Sequence, residues 1–306
     1  MDAFVFPGQG SQYVGMGKDL ADNFNVAKLV FEEANDALGF DLRELCFSGS
    51  ESDLRLTANT QPAILTASIA ALRVVQSETD LTPAFVAGHS LGEYSALVSC
   101  ETLSFADAVR TVRQRGTFMQ EAVPVGVGAM AAIMGIDVEE LLTLCEAAAQ
   151  GEVVVPANFN SPVQTVIAGH KAAVERAIEL AKECGAKRAM LLPVSAPFHS
   201  PLMAPAAQRL MAELEAISLA PFSCALVSNV EATPYRDESR VKDLLVEQVC
   251  APVRWSESIQ SMKDSGVNRY VEIGPGRVLC GLNKRLDRDA IHTNICDINS
   301  LKKLQE

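Results

Sequence analysis

The chain has 306 residues, 48% hydrophobic and 21% charged, and its 26 Lys plus Arg against 38 Asp plus Glu leave a net charge of −12. That length can bury a large core and suits about two domains. The acidic balance argues against a broad phosphate-binding face, and so against nucleic acid as the main ligand.

No uncharged apolar run reaches the ~18 residues of a membrane span. The N-terminus, Met1-Asp2-Ala3-Phe4-Val5-Phe6-Pro7, lacks the basic start of a signal peptide. A cytoplasmic protein without membrane contacts is therefore expected. The cysteines are scattered, with no Cys-x-x-Cys and no histidine at ligand spacing, so they read as small buried apolar residues and not as a zinc site.

In chain order, residues 3–6 predict a first strand that runs into Pro7-Gly8-Gln9-Gly10-Ser11-Gln12. A glycine-rich loop there invites a nucleotide-binding reading, but Gly8-x-Gly10 has no glycine three residues on. Gly17-Lys18 has Gln12 where a phosphate loop needs its first glycine. What remains is a loop whose N–H groups can approach a ligand closely. Helical periodicity covers residues 22–38, a short turn or helix 41–47, and a helix 63–75 opened by Asn59-Thr60-Gln61-Pro62.

The central stretch is Gly88-His89-Ser90-Leu91-Gly92, which fits Gly-x-Ser-x-Gly. Residues 83–87 predict the strand before it and 91–100 the helix after it. This is the context of a nucleophile elbow, which lifts a serine onto a helix start rich in unpaired N–H groups. Ser104 predicts the cap of a helix over 105–121, with Val109, Val112, Gly116 and Met119 on its apolar face and Arg110, Arg113 and Arg115 pointing elsewhere.

Beyond Gly126 and Gly128 the pattern changes to strand 129–134, helix 138–149, strands 153–159 and 164–168, helix 171–185 and strand 188–193. That order, βαββαβ, is ferredoxin-like. The rest returns to alternating elements: helix 204–217, strand 225–227, helices 239–248 and 255–264, strand 269–273, the turn Gly274-Pro275-Gly276 and a last helix. The predicted class is α/β, a large α/β-hydrolase-like domain with a parallel central sheet (1–125 and 194–306) and an inserted ferredoxin-like domain (126–193).

A serine nucleophile needs a base and a group to orient it. Of the four histidines, His89 adjoins the serine, His170 begins a helix and His292 lies in a polar stretch. His199, in Ser195-Ala196-Pro197-Phe198-His199-Ser200-Pro201, sits in a proline-stiffened loop suited to a domain cleft. A buried, satisfied histidine fits the same pattern. No carboxylate between Ser90 and His199 stands in a distinctive loop, and a backbone carbonyl could hold the imidazole tautomer instead.

Taken together, Phe6-Pro7-Gly8-Gln9-Gly10, Gln61-Pro62-Ala63, Gly88-His89-Ser90-Leu91-Gly92-Glu93, Arg115-Gly116, Asn160-Ser161-Pro162, the His199 loop and Val271-Glu272-Ile273-Gly274-Pro275-Gly276 resemble the bacterial malonyl-CoA:acyl carrier protein transacylases. The resemblance runs nearly end to end, with Cys100-Glu101 standing where the family usually has Ala-Gly.

It implies a ping-pong transfer of malonyl from malonyl-CoA to acyl carrier protein, feeding fatty acid synthesis, by a monomer that needs no metal or bound cofactor. It implies Ser90 as nucleophile, His199 as base, and the main-chain carbonyl of Gln248 as its orienter. The N–H groups of Gln9 and Leu91 would form the oxyanion hole. Arg115 would grip the malonyl carboxylate, and Gln61 and Asn160 would line the pocket.

A guanidinium suits a planar carboxylate better than an ammonium does. Phe198 fits a pocket kept small for an unbranched malonyl group. Lys187, Arg188, Lys284 and Arg285 are candidate contacts for an acidic carrier protein. A thioesterase on the same scaffold and a non-catalytic carrier-binding module are the two rival readings.

Overall fold

The structure, a computed structural model, describes residues 1–194 and 196–305. Ser195, named above in the histidine loop, lies outside the described residues. Ten strands form two sheets: β1 (Asp2–Phe6), β2 (Phe85–Gly88), β3 (Gly128–Met134), β4 (Val154–Ser161), β5 (Gln164–His170), β6 (Arg188–Leu191), β7 (Ala225–Val227), β8 (Pro234–Tyr235), β9 (Arg269–Ile273) and β10 (Ile291–Ile295).

The larger sheet has the order β10-β9-β1-β2-β7-β8 and is parallel except for β8. β1 and β2 sit at its centre, in register from Ala3↔Phe85 to Phe6↔Gly88. From Ala3 on their residues are apolar because helices cover both faces. The smaller sheet, β4-β5-β3-β6, is wholly antiparallel. With its two helices, Val138–Ala149 and Lys171–Glu183, it has the ferredoxin-like strand order. Its outer face has its own core, which includes Ile133, Leu141, Leu144, Ile167 and Val174. Its inner face gives Met130, Val166 and Ala168 to the core of the larger body. A single parallel bridge, Asn158↔Val253, ties β4 to the chain segment after helix Val241–Cys250.

Three expectations change. The helix read over 22–38 is two, Lys18–Asn23 and Asn25–Leu38, broken where Phe24 turns extended at φ −126°. The helix with Pro62 runs from Thr57 to Glu78. Pro62 is therefore internal, the sixth residue of the helix, where it has no N–H to offer the Ala58 carbonyl one turn back. The polar C-terminal stretch holds β10, whose pairing with β9 supplies the order that its composition does not.

Candidate active site

Ser90 follows β2 at the carboxyl end of the parallel sheet, in the left-handed region at φ 53°. The two glycines of the elbow are there for close approach. A Cβ on Gly88 would lie 1.8 Å from the Gly92 carbonyl carbon, and one on Gly92 would lie 2.1 Å from the Phe6 oxygen. Any side chain at either position would push Ser90 off the sheet end.

His199 also holds a left-handed backbone, φ 58°, and is 3% exposed. Its Nε2 stands 2.7 Å from Ser90 Oγ. Its Nδ1 stands 2.8 Å from the main-chain oxygen of Gln248. The Ser90 hydroxyl thus donates to Nε2 while Nδ1–H donates to the carbonyl, which fixes the tautomer. Burial, reinforced by the Arg115 charge, pushes the imidazole down from 6.5 to about 3. The ring is therefore neutral, and ready to take a proton, throughout the physiological range.

Gln9 and Leu91 flank a cavity of about 110 Å³ that Ser90, His199, Arg115, Gln61, Phe198 and Met119 also line. Among the described residues, no acceptor takes the main-chain N–H of Gln9 or of Leu91. Two free donors beside a serine oxygen form an arrangement suited to an oxyanion. The glycine loop after β1, which failed as a phosphate loop, brings one of them.

Arg115 departs from the helical pattern read above. Positions 108, 112, 115 and 119 share one face, and that face is buried, so Arg115 is 2% exposed. Arg110 instead pairs with Asp107 at the surface. The Arg115 guanidinium donates to Gln61 Oε1 at 2.8 Å, to Gln248 Oε1 at 2.8 Å and to Ser90 Oγ at 3.1 Å. It lies 5.6 Å over the Tyr94 ring. Gly116 lets the helix Phe105–Glu121 approach Thr57–Glu78 and so brings Arg115 to Gln61, since a Cβ there would meet the Thr57 oxygen at 2.6 Å.

Asn160 does not line the cavity. Its Oδ1 holds His89 Nε2 at 2.8 Å, and Asn158 faces the cavity in its place. Irregular pairing on either side of Phe159 takes β4 out of simple alternation there, so the spacing of the two asparagines does not tell which is inside. His89 in turn lies against Trp255, ring centres 5.6 Å apart, and burial pushes it below its ordinary value.

Two residues at the site were given no role from the sequence, though Glu93 closes the elbow motif quoted above. Glu93, wholly buried, accepts from Gln248 Nε2 at 2.7 Å and from the Asn229 N–H at 3.2 Å. Burial pushes its carboxyl up from 4.5 to about 7, against the pull of those donors and of Arg115. Asn229 accepts from the Ser90 N–H at 2.7 Å and donates to the Gly88 oxygen at 2.7 Å, bracing the elbow. Beyond its place in that motif, the trace of Glu93 in the sequence is a lone charge within a helix that is otherwise uncharged. Asn229 leaves none, because its partners lie about 140 residues away.

The acyl transferase domain family model matches residues 3–295. The malonyl CoA-acyl carrier protein transacylase of Escherichia coli K12 is 52% identical over 93% of this chain and 92% of its own. The crystal structure of an acyl carrier protein S-malonyltransferase from Vibrio cholerae superposes with a TM-score of 0.97 at 48% identity, covering 99% of both chains. A malonyl-transacylase solved in complex with a type II PKS acyl-carrier protein gives 0.96 at 47% identity, covering 99% of this chain and 98% of that one. With its elbow serine, histidine and buried arginine in one cavity, the chain belongs to the acyl transferase family, among the malonyl CoA-acyl carrier protein transacylases.

Proposed function

We propose that the chain transfers malonyl from malonyl-CoA to the phosphopantetheine thiol of acyl carrier protein through an ester on Ser90. The observation that carries this reading is the shared position of Arg115 and His199, both within hydrogen-bond distance of Ser90 Oγ. A hydrolase needs the histidine. Only a donor with a free carboxylate needs a buried guanidinium beside it.

His199 takes the Ser90 proton as Oγ attacks the thioester carbonyl. The C–S bond then breaks, and His199 Nε2 returns the proton to the departing CoA sulfur. In the second half the carrier thiol gives its proton to His199 and attacks the ester, and Ser90 leaves with that proton. The Gln9 and Leu91 N–H groups take the negative charge on the carbonyl oxygen in both halves. Each such donor is worth about a hundredfold or more in rate. A carbonyl behind His199 stabilises imidazolium less than a carboxylate does, so more of the work falls on these donors.

Arg115, held by Gln61, takes the malonyl carboxylate, and Phe198 limits the space beside it. Asn160 acts through His89. We assign 126–193 as the inserted domain, in keeping with its separate sheet and core. We also propose a cytoplasmic monomer without nucleic-acid contacts; the net charge of −12 supports the last of these.

Initial velocities at several carrier-protein concentrations test the reaction. Parallel double-reciprocal lines are expected, with turnover lost in Ser90→Ala. Intersecting lines would mean direct transfer without the ester.

A further inference from the structure

Gln248 serves the site twice: its main-chain oxygen holds His199, and its side chain lies between Glu93 and Arg115. The amide has one orientation that satisfies every neighbour. Nε2 donates to Glu93 Oε2 at 2.7 Å and to the Ser90 oxygen at 3.1 Å, while Oε1 accepts from Arg115 at 2.8 Å. Turned over, the amide would set NH2 against a guanidinium and oxygen against a carboxylate and a carbonyl, three contacts of like against like. Of the two acceptors the carboxylate is the closer and the charged one, and so the stronger.

We propose that Glu93 is a positioning residue for malonyl transfer: by holding Gln248 Nε2 it turns the Gln248 oxygen to Arg115 and keeps the guanidinium aimed at Ser90. This rests on the malonyl reading above and adds a residue to it. Glu93 does not reach Ser90 Oγ or the cavity wall, so it contacts no substrate. It accepts a donor from the turn at Asn229 and from Gln248 in the helix Val241–Cys250, and so also sets the height of the Gln248 side chain relative to the elbow. Its burial disfavours the charged form, which is the sign of a group kept for its geometry and not for its stability.

The test compares Glu93→Leu, Glu93→Gln and Gln248→Ala for kcat/KM with malonyl-CoA and with acetyl-CoA. Acetyl-CoA lacks the carboxylate that Arg115 is held for. Glu93→Leu is expected to lower the malonyl-over-acetyl preference about tenfold or more, and Glu93→Gln, which keeps an acceptor toward Gln248, is expected to restore most of it. The double variant Glu93→Leu/Gln248→Ala is expected to match Gln248→Ala alone, because Glu93 acts through Gln248. Equal losses with both donors, or additive losses in the double variant, would overturn the proposal. If Glu93→Leu does not fold, Glu93→Gln and the hydrogen bond it keeps still decide: a preference lost in Glu93→Gln as fully as in Gln248→Ala contradicts positioning by that bond. A wild type that forms no malonyl ester on Ser90 would instead overturn the malonyl reading itself.

Discussion

Glu93 and His199 are buried in opposite senses, and their effects on stability oppose one another with pH. Glu93 has a folded value raised from 4.5 to about 7, so its burial costs nothing below pH 4.5 and the full amount above 7. His199 has a folded value lowered from 6.5 to about 3, so its burial costs nothing above pH 6.5 and progressively more below it. Between pH 4.5 and 6.5 the two slopes cancel in the wild type. Relative to wild type, Glu93→Gln is expected to gain about 3 kcal/mol across that window as pH rises, and His199→Gln to lose a similar amount. Urea unfolding at pH 4.5 and 6.5 measures both. Differences from wild type that stay constant with pH would show that neither group is buried as described.

The same scale shows what a sequence can carry. Ser90 and His199 were legible because a sharp turn needs Gly88 and Gly92, and a stiff loop needs its prolines. Arg115 was not legible from its helix, since its face is decided by what packs there. Asn160 was misplaced for a related reason: the irregularities in β4 break the alternation on which spacing arguments depend.

At the scale of the element, the elbow helix Gly92–Ser99 is bracketed by two left-handed residues that are not glycine, Ser90 and Glu101, φ 53° and 64°. Only the first has a use in the chemistry. Glu101 is exposed, and its side chain makes no hydrogen bond or ion pair among the described residues, so the strain there has no return. Glu101→Gly is expected to stabilise the fold by about 1 kcal/mol and to raise Tm by roughly 2 °C, with kcat unchanged. An unchanged or lower Tm in a calorimetric scan would contradict this. β2 and β7, and β1 after Asp2, were readable because burial on both faces makes their residues apolar. β10 was not, as Ile291-His292-Thr293-Asn294-Ile295 becomes a strand by pairing with β9. The break at Phe24 carries no glycine or proline to announce it.

Over the whole molecule, the site lies at the carboxyl ends of β1 and β2, where open α/β sheets bind ligands, and the smaller sheet closes over it. Met130 on β3 and Asn158 on β4 supply that wall. Register puts the four proposed docking residues at one end of the smaller sheet. Arg188 stands opposite Met134, Met134 opposite Gln164, and Gln164 accepts from Arg285 at 3.1 Å. Lys187 and Lys284 adjoin them in sequence. A local basic surface on a chain of net charge −12 can steer an acidic partner only when screening is weak. Lys187→Glu/Lys284→Glu is expected to raise the KM for carrier protein about tenfold at low salt, with the difference shrinking at ~0.5 M salt. An unchanged KM at low salt would place docking elsewhere.

The most direct test of the central claim is the intact mass of the protein after brief mixing with malonyl-CoA, beside Ser90→Ala. The account predicts one malonyl adduct on the wild type, none on Ser90→Ala, and its discharge by holo acyl carrier protein much faster than by water. An adduct that survives in Ser90→Ala, or one that water removes as fast as carrier protein does, would contradict it.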